Sequence, residues 1–74
     1  MTDREEAQTA VANLLLQRIR QDKYPSVTHM QLLESMIPRP LVREYLNILL
    51  EKVLMDSQPS IPMLRRIVRV AQSV

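Results

Sequence analysis

The chain is expected to be all-α, with four short helices arranged as two pseudo-repeated helix–loop–helix units of period 34 that form one small bundle. Three observations carry this expectation. The first is internal repetition. Displaced by 34 residues, Asn13-Leu14-Leu15-Leu16-Gln17-Arg18-Ile19 falls on Asn47-Ile48-Leu49-Leu50-Glu51-Lys52-Val53. Asp22 then falls on Asp56, Pro25-Ser26-Val27 on Pro59-Ser60-Ile61, Met30 on Leu64 and Leu33 on Ile67. Of the 21 ungapped pairs from 13/47 to 33/67, six are identical and seven conservative. A fixed period of this size marks one supersecondary unit used more than once. The second observation is the absence of Gly, which a β-rich chain would need at hairpin turns and bulges. The third is an aliphatic composition, 46% apolar with no Phe and no Trp, which suits interdigitating helices.

The first helix should run from about Asp3 to Gln21. Thr2 with Glu5, or Asp3 with Glu6, has capping-box spacing, and the early acids suit the positive end of the helix dipole. Ala7, Val11, Leu14, Leu15 and Ile19 recur at helical spacing. The helix should stop near Asp22-Lys23-Tyr24-Pro25, because Pro25 pushes Tyr24 out of the α region and Asp22 can act as a C-cap or Asx-turn residue. Ser26 or Thr28 can cap the second helix, Thr28 again with capping-box spacing to Gln31. That helix should reach about Met36, with Val27, Met30, Leu33 and Met36 or Ile37 on its apolar face.

Ile37-Pro38-Arg39-Pro40 is the joint between the halves. Pro40 suits the first turn of the third helix, expected over about Leu41–Met55. Asp56-Ser57-Gln58-Pro59-Ser60 then repeats the first connector. The fourth helix is expected over about Ile61–Gln72, with Pro62 in its first turn, where the missing donor costs little.

Seventy-four residues make a single helical domain, 1–74, with repeat units over about 3–36 and 38–73. A domain this small buries only about 60% of its unfolded surface. Disulfides cannot supplement it without Cys, and one His without Cys disfavours a structural zinc site. Self-association or a partner is the remaining usual supplement. No stretch approaches the ~20 apolar residues of a membrane span, and the acidic N-terminus does not resemble a signal peptide, so a cytoplasmic protein is expected. The net charge of +2 is slight but unevenly placed: Ser60–Val74 holds three Arg and no acid, while the first six residues hold three acids and one Arg.

No catalytic or ligand motif is present. The missing Gly removes any phosphate loop or dinucleotide fingerprint, so no cofactor is expected. His29 is isolated, the carboxylates are scattered, and the connectors are too short for a twelve-residue calcium loop, so neither a metal nor enzyme activity is expected. The period of 34 is also that of tetratricopeptide repeats. The Trp and Gly of that signature do not occur here, and two units fall below the roughly three needed for an array.

What remains is surface. On the third helix Val42, Tyr45, Leu46, Leu49, Leu50 and Val53 make one broad stripe, and Leu41, Ile48 and Met55 make a second at heptad spacing across Lys52. A helix that buries one face needs a single stripe. The second therefore meets another neighbour or a partner, and Leu14 repeats the Ile48 position on the first helix. Leu14, Leu41, Ile48 and Met55, with Tyr24 as the one aromatic anchor in a connector, are the candidate partner contacts. Arg65, Arg66 and Arg69 lie along one side of the fourth helix, where they could meet phosphate or an acidic partner, or simply face solvent. The expected function is a small non-enzymatic protein–protein interaction module, an adaptor or regulator, that forms a homodimer or binds another protein. The alternative is a nucleic-acid-binding regulator resembling a helix-turn-helix, with Arg39 and Arg43 opening a recognition helix. Against it, that helix is strongly apolar and the chain only slightly basic.

Overall fold

The computed structural model describes residues 3–73. It contains four helices in chain order: α1 (Asp3–Gln21), α2 (Val27–Met36), α3 (Arg39–Met55) and α4 (Ile61–Gln72). The described residues contain no strand. The chain divides into two compact units, Met1–Pro40 and Leu41–Val74. In the first, α1 packs on α2; in the second, α3 and α4 are in contact.

The starts of α2 and α4 follow from single residues. Ser26 is extended at φ −63° and ψ 133°, and its Oγ accepts from the backbone N–H of His29 at 3.3 Å. Thirty-four residues on, Ser60 is extended at φ −69° and ψ 133°, and its Oγ accepts from the N–H of Met63 at 3.2 Å. Each serine carbonyl also accepts the first helical hydrogen bond, from Met30 and Leu64 respectively, at 3.0 Å in both cases. Such caps satisfy donors that a helix start would otherwise leave open. Ser26, rather than Thr28, is thus the cap of α2. At the start of α1, Asp3 is the first helical residue and Thr2 lies outside the described residues, with the Thr2–Glu5 capping pair expected from the sequence.

The helix ends also have local causes. Ile37 leaves α2 in the extended region, at φ −61° and ψ 126°, because Pro38 clashes with an α conformation in the residue before it. No described residue has a positive φ. The chain therefore ends its helices without the left-handed glycine that closes many others. At the end of α1 the Asp22 carboxylate accepts from Arg18 Nε at 3.1 Å, an i, i+4 ion pair. At the end of α3 the Asp56 Oδ1 accepts from the Gln58 N–H at 3.1 Å, closing an Asx turn. α3 begins at Arg39, two residues ahead of the expected Leu41, since Pro40 is itself accommodated in the first turn.

The core is aliphatic apart from one tyrosine. The first unit buries Ala12, Leu16 and Ile19 of α1 with Met30 and Leu33 of α2. The second buries Val42, Tyr45, Ile48 and Leu49 of α3 with Ile67 and Val70 of α4. Burying each large aliphatic side chain is worth about 1.5–3 kcal/mol. No buried polar or charged residue interrupts either set among the described residues.

Candidate interaction surface

The two stripes expected on α3 merge into one. At ~100° per residue, the buried Val42, Tyr45, Ile48 and Leu49 and the half-buried Leu41, Leu46, Lys52 and Val53 cover a continuous arc of about 160°. This corrects the expectation for Ile48. At 3% exposure it lies among the core residues rather than on an open stripe. Leu41 is half-buried on the edge of the same arc. Only Met55, at the C-terminal end and 88% exposed, stands clear, beside the equally open Leu54. Leu50, placed by its sequence in the core stripe, is exposed instead.

On α1 the expected face is also displaced. Ala12, Leu16 and Ile19 turn inward, so Ala7, Val11 and Leu14 face outward, with Leu14 65% exposed. Ala10 lies on the same outward strip, and Asp3 and Glu6 flank its N-terminal end. Tyr24, 73% exposed in the first connector, stacks beneath the Lys23 ammonium, whose Nζ lies 5.5 Å from the ring centroid.

A further apolar surface lies on α4. Met63, Ile67 and Val70 turn inward at i, i+4, i+7. Ile61, Leu64 and Val68 recur at i, i+3, i+7 on the opposite side and are all exposed. Its signal is present in the sequence: α4 has apolar residues at heptad spacing on both sides, interleaved with its arginines. Arg65 and Arg69 run alongside this outward stripe and are exposed, whereas Arg66 leans toward the inward side and is half-buried. The three arginines therefore do not act as one open cluster. Arg65 and Arg69 border the exposed apolar strip.

Other chemistry is sparse. His29 is half-buried, with Nδ1 shielded from solvent and without a hydrogen-bond partner. Among the described residues no three His, Cys, Asp or Glu side chains come together as a metal would require. No helix of the described residues is long and apolar enough to cross a membrane. The outward side of α3 mixes Arg43 with Glu44 and Glu51.

No protein-family model matches the chain, and neither a curated protein nor a solved structure is similar enough to count as a match.

Proposed function

We propose that this protein is a small, non-enzymatic helical interaction module that self-associates through exposed apolar helix faces. One observation carries the reading: α4 is apolar on two sides, and only one side is buried. A helix with a single neighbour needs one apolar stripe. Ile61, Leu64 and Val68 form a second that solvent does not favour, and contiguous exposed apolar surface of this kind commonly marks contact sites. The small size of the chain supports the same reading, since intermolecular burial supplements a limited core.

The test is the solution mass by sedimentation equilibrium across a wide concentration range, with a Leu64→Gln, Val68→Gln double variant alongside. Both positions are exposed, so the variant should keep the helical circular dichroism of the wild type. The expected result is a wild type that associates and a variant that remains a folded monomer. A wild type that is monomeric at every concentration would remove self-association.

A further inference from the structure

We propose that the second unit docks an acidic amphipathic helix of another protein on the face that α3 and α4 form together. Such docking is separate from self-association and uses residues of this unit alone. α3 and α4 are joined by the five residues 56–60 and pack as an antiparallel hairpin. Viewed from its own N-terminus, α3 passes clockwise from buried Val42 through half-buried Leu46 to exposed Leu50 and Leu54. α4, viewed the same way, passes clockwise from buried Ile67 to exposed Leu64, Val68 and Ile61. When two facing helices run in opposite directions, equal senses of rotation lead to the same side of the pair. The exposed strips of α3 and α4 therefore share one side of the hairpin. A third helix laid along two others is the packing by which helical bundles close such a face. Its own apolar residues would recur at three- and four-residue steps.

Charge selects the occupant. Residues 41–74 hold the whole net charge of +2, because residues 1–40 hold five cations and five acids. Around α3, Arg43 lies about 20° from both Leu50 and Leu54. Around α4, Arg65 lies about 40° beyond Ile61. Both arginines are exposed, and α4 contains no acid. The carboxylates of α3, Glu44 and Glu51, lie about 60–80° past Leu54, on the side turned away from α4. An occupant of this face thus meets a cation first at either edge. Carboxylates flanking its apolar stripe are attracted there, and cations are repelled. Two copies of the same face brought together would set cations against cations, so an acidic helix displaces a second copy from it. Apolar area holds the docked helix, and the edge charges choose which helix it is.

A displayed library of helical peptides tests the assignment. Each peptide carries Leu at three- and four-residue steps, and the positions flanking that stripe are drawn from Glu, Gln and Lys. Selection on the dilute full chain should enrich Glu at the flanks, and changing those Glu to Gln should weaken binding at least about tenfold. The Arg43→Glu, Arg65→Glu double variant should enrich Lys instead. Leu54→Gln with Val68→Gln should weaken binding of the selected peptides at least about tenfold. All four substituted positions are exposed, so both variants should keep the helical circular dichroism of the wild type. Enrichment of Gln or Lys flanks by the wild type, or no enrichment, overturns the proposal whether or not the chain self-associates. Binding to vesicles containing phosphatidylserine, with no acidic peptide bound, would assign the face to a membrane surface and overturn it too. A wild type that enriches acidic helices yet sediments as a monomer at every concentration would uphold the docking face and remove only self-association.

Discussion

Ser26 and Ser60 stand 34 residues apart and do the same work: each is extended, each Oγ closes the first turn of a short helix, and each carbonyl accepts the first helical bond. The longer helices that precede them diverge. α1 buries Ala12, Leu16 and Ile19, whereas α3 buries Val42, Tyr45, Ile48 and Leu49. Moved onto α1 by the repeat, the α3 positions fall at Gln8, Val11, Leu14 and Leu15, the first three of which are exposed. The buried side of α3 is thus turned by about a quarter of a revolution relative to that of α1, at ~100° per residue. The pair Leu14 and Ile48 shows it most plainly, because one is open and the other closed. Leu16 and Leu50, identical residues at equivalent places, show the reverse.

The comparison separates two kinds of instruction. A serine cap is completed by atoms within four residues, so copying the residues copies the structure. Burial is settled by what lies opposite and by which side chain gains most from leaving water. Tyr45 is the main asymmetry, standing where α1 has Val11 and losing all its exposure. An aromatic ring removes 150–250 Å² from water as a general matter, so it draws the buried arc toward itself.

Substitutions at paired positions test this contrast, and the largest effect is expected at the Leu14 and Ile48 pair. Ile48→Glu places a charge in the core and should cost more than about 4 kcal/mol, enough to unfold a domain this small. Leu14→Glu, in dilute solution, should stay within about 0.5 kcal/mol of wild type. Urea unfolding of the two variants side by side reads the difference; equal losses would mean that the two helices bury the same side after all.

Tyr45→Ala should follow, at about 3–5 kcal/mol, against a loss below about 1 kcal/mol for Val11→Ala at the exposed equivalent site. The unfolding midpoint is again the measure. A small loss at Tyr45 would remove the proposed cause of the rotation.

The caps should behave alike. Ser26→Ala and Ser60→Ala are each expected to cost about 1 kcal/mol, and amide exchange should rise in the first turns of α2 and α4 respectively. Unequal costs would show that the hydrogen bonds match while their settings do not. The smallest effect belongs to the helix end that differs between units. Arg18→Ala removes an exposed ion pair with Asp22 and should change stability by a few tenths of a kcal/mol at most, and less at high salt.

The helices themselves were legible in the residues. Proline and serine mark their ends, the acids of the first turn mark the start of α1, and α1 and α4 span the stretches that spacing alone suggests. The repeat was legible too, down to its caps. The candidate surface was legible only in part: Leu14, Tyr24 and Met55 are exposed, Ile48 is enclosed, and α4 carries a second apolar stripe beside its arginines.

What the sequence determined by itself is therefore the set of features whose partners lie within one helical turn: caps, stops, turns and the heptad spacing of apolar residues. What only the tertiary structure decided is which of several apolar sides each helix turns inward. α3 and α4 carry more apolar residues around their circumference than one buried face requires, and spacing cannot rank the alternatives. Packing ranks them, because the free energy of burial depends on the shape and size of the facing side chains, and those come from elsewhere in the chain.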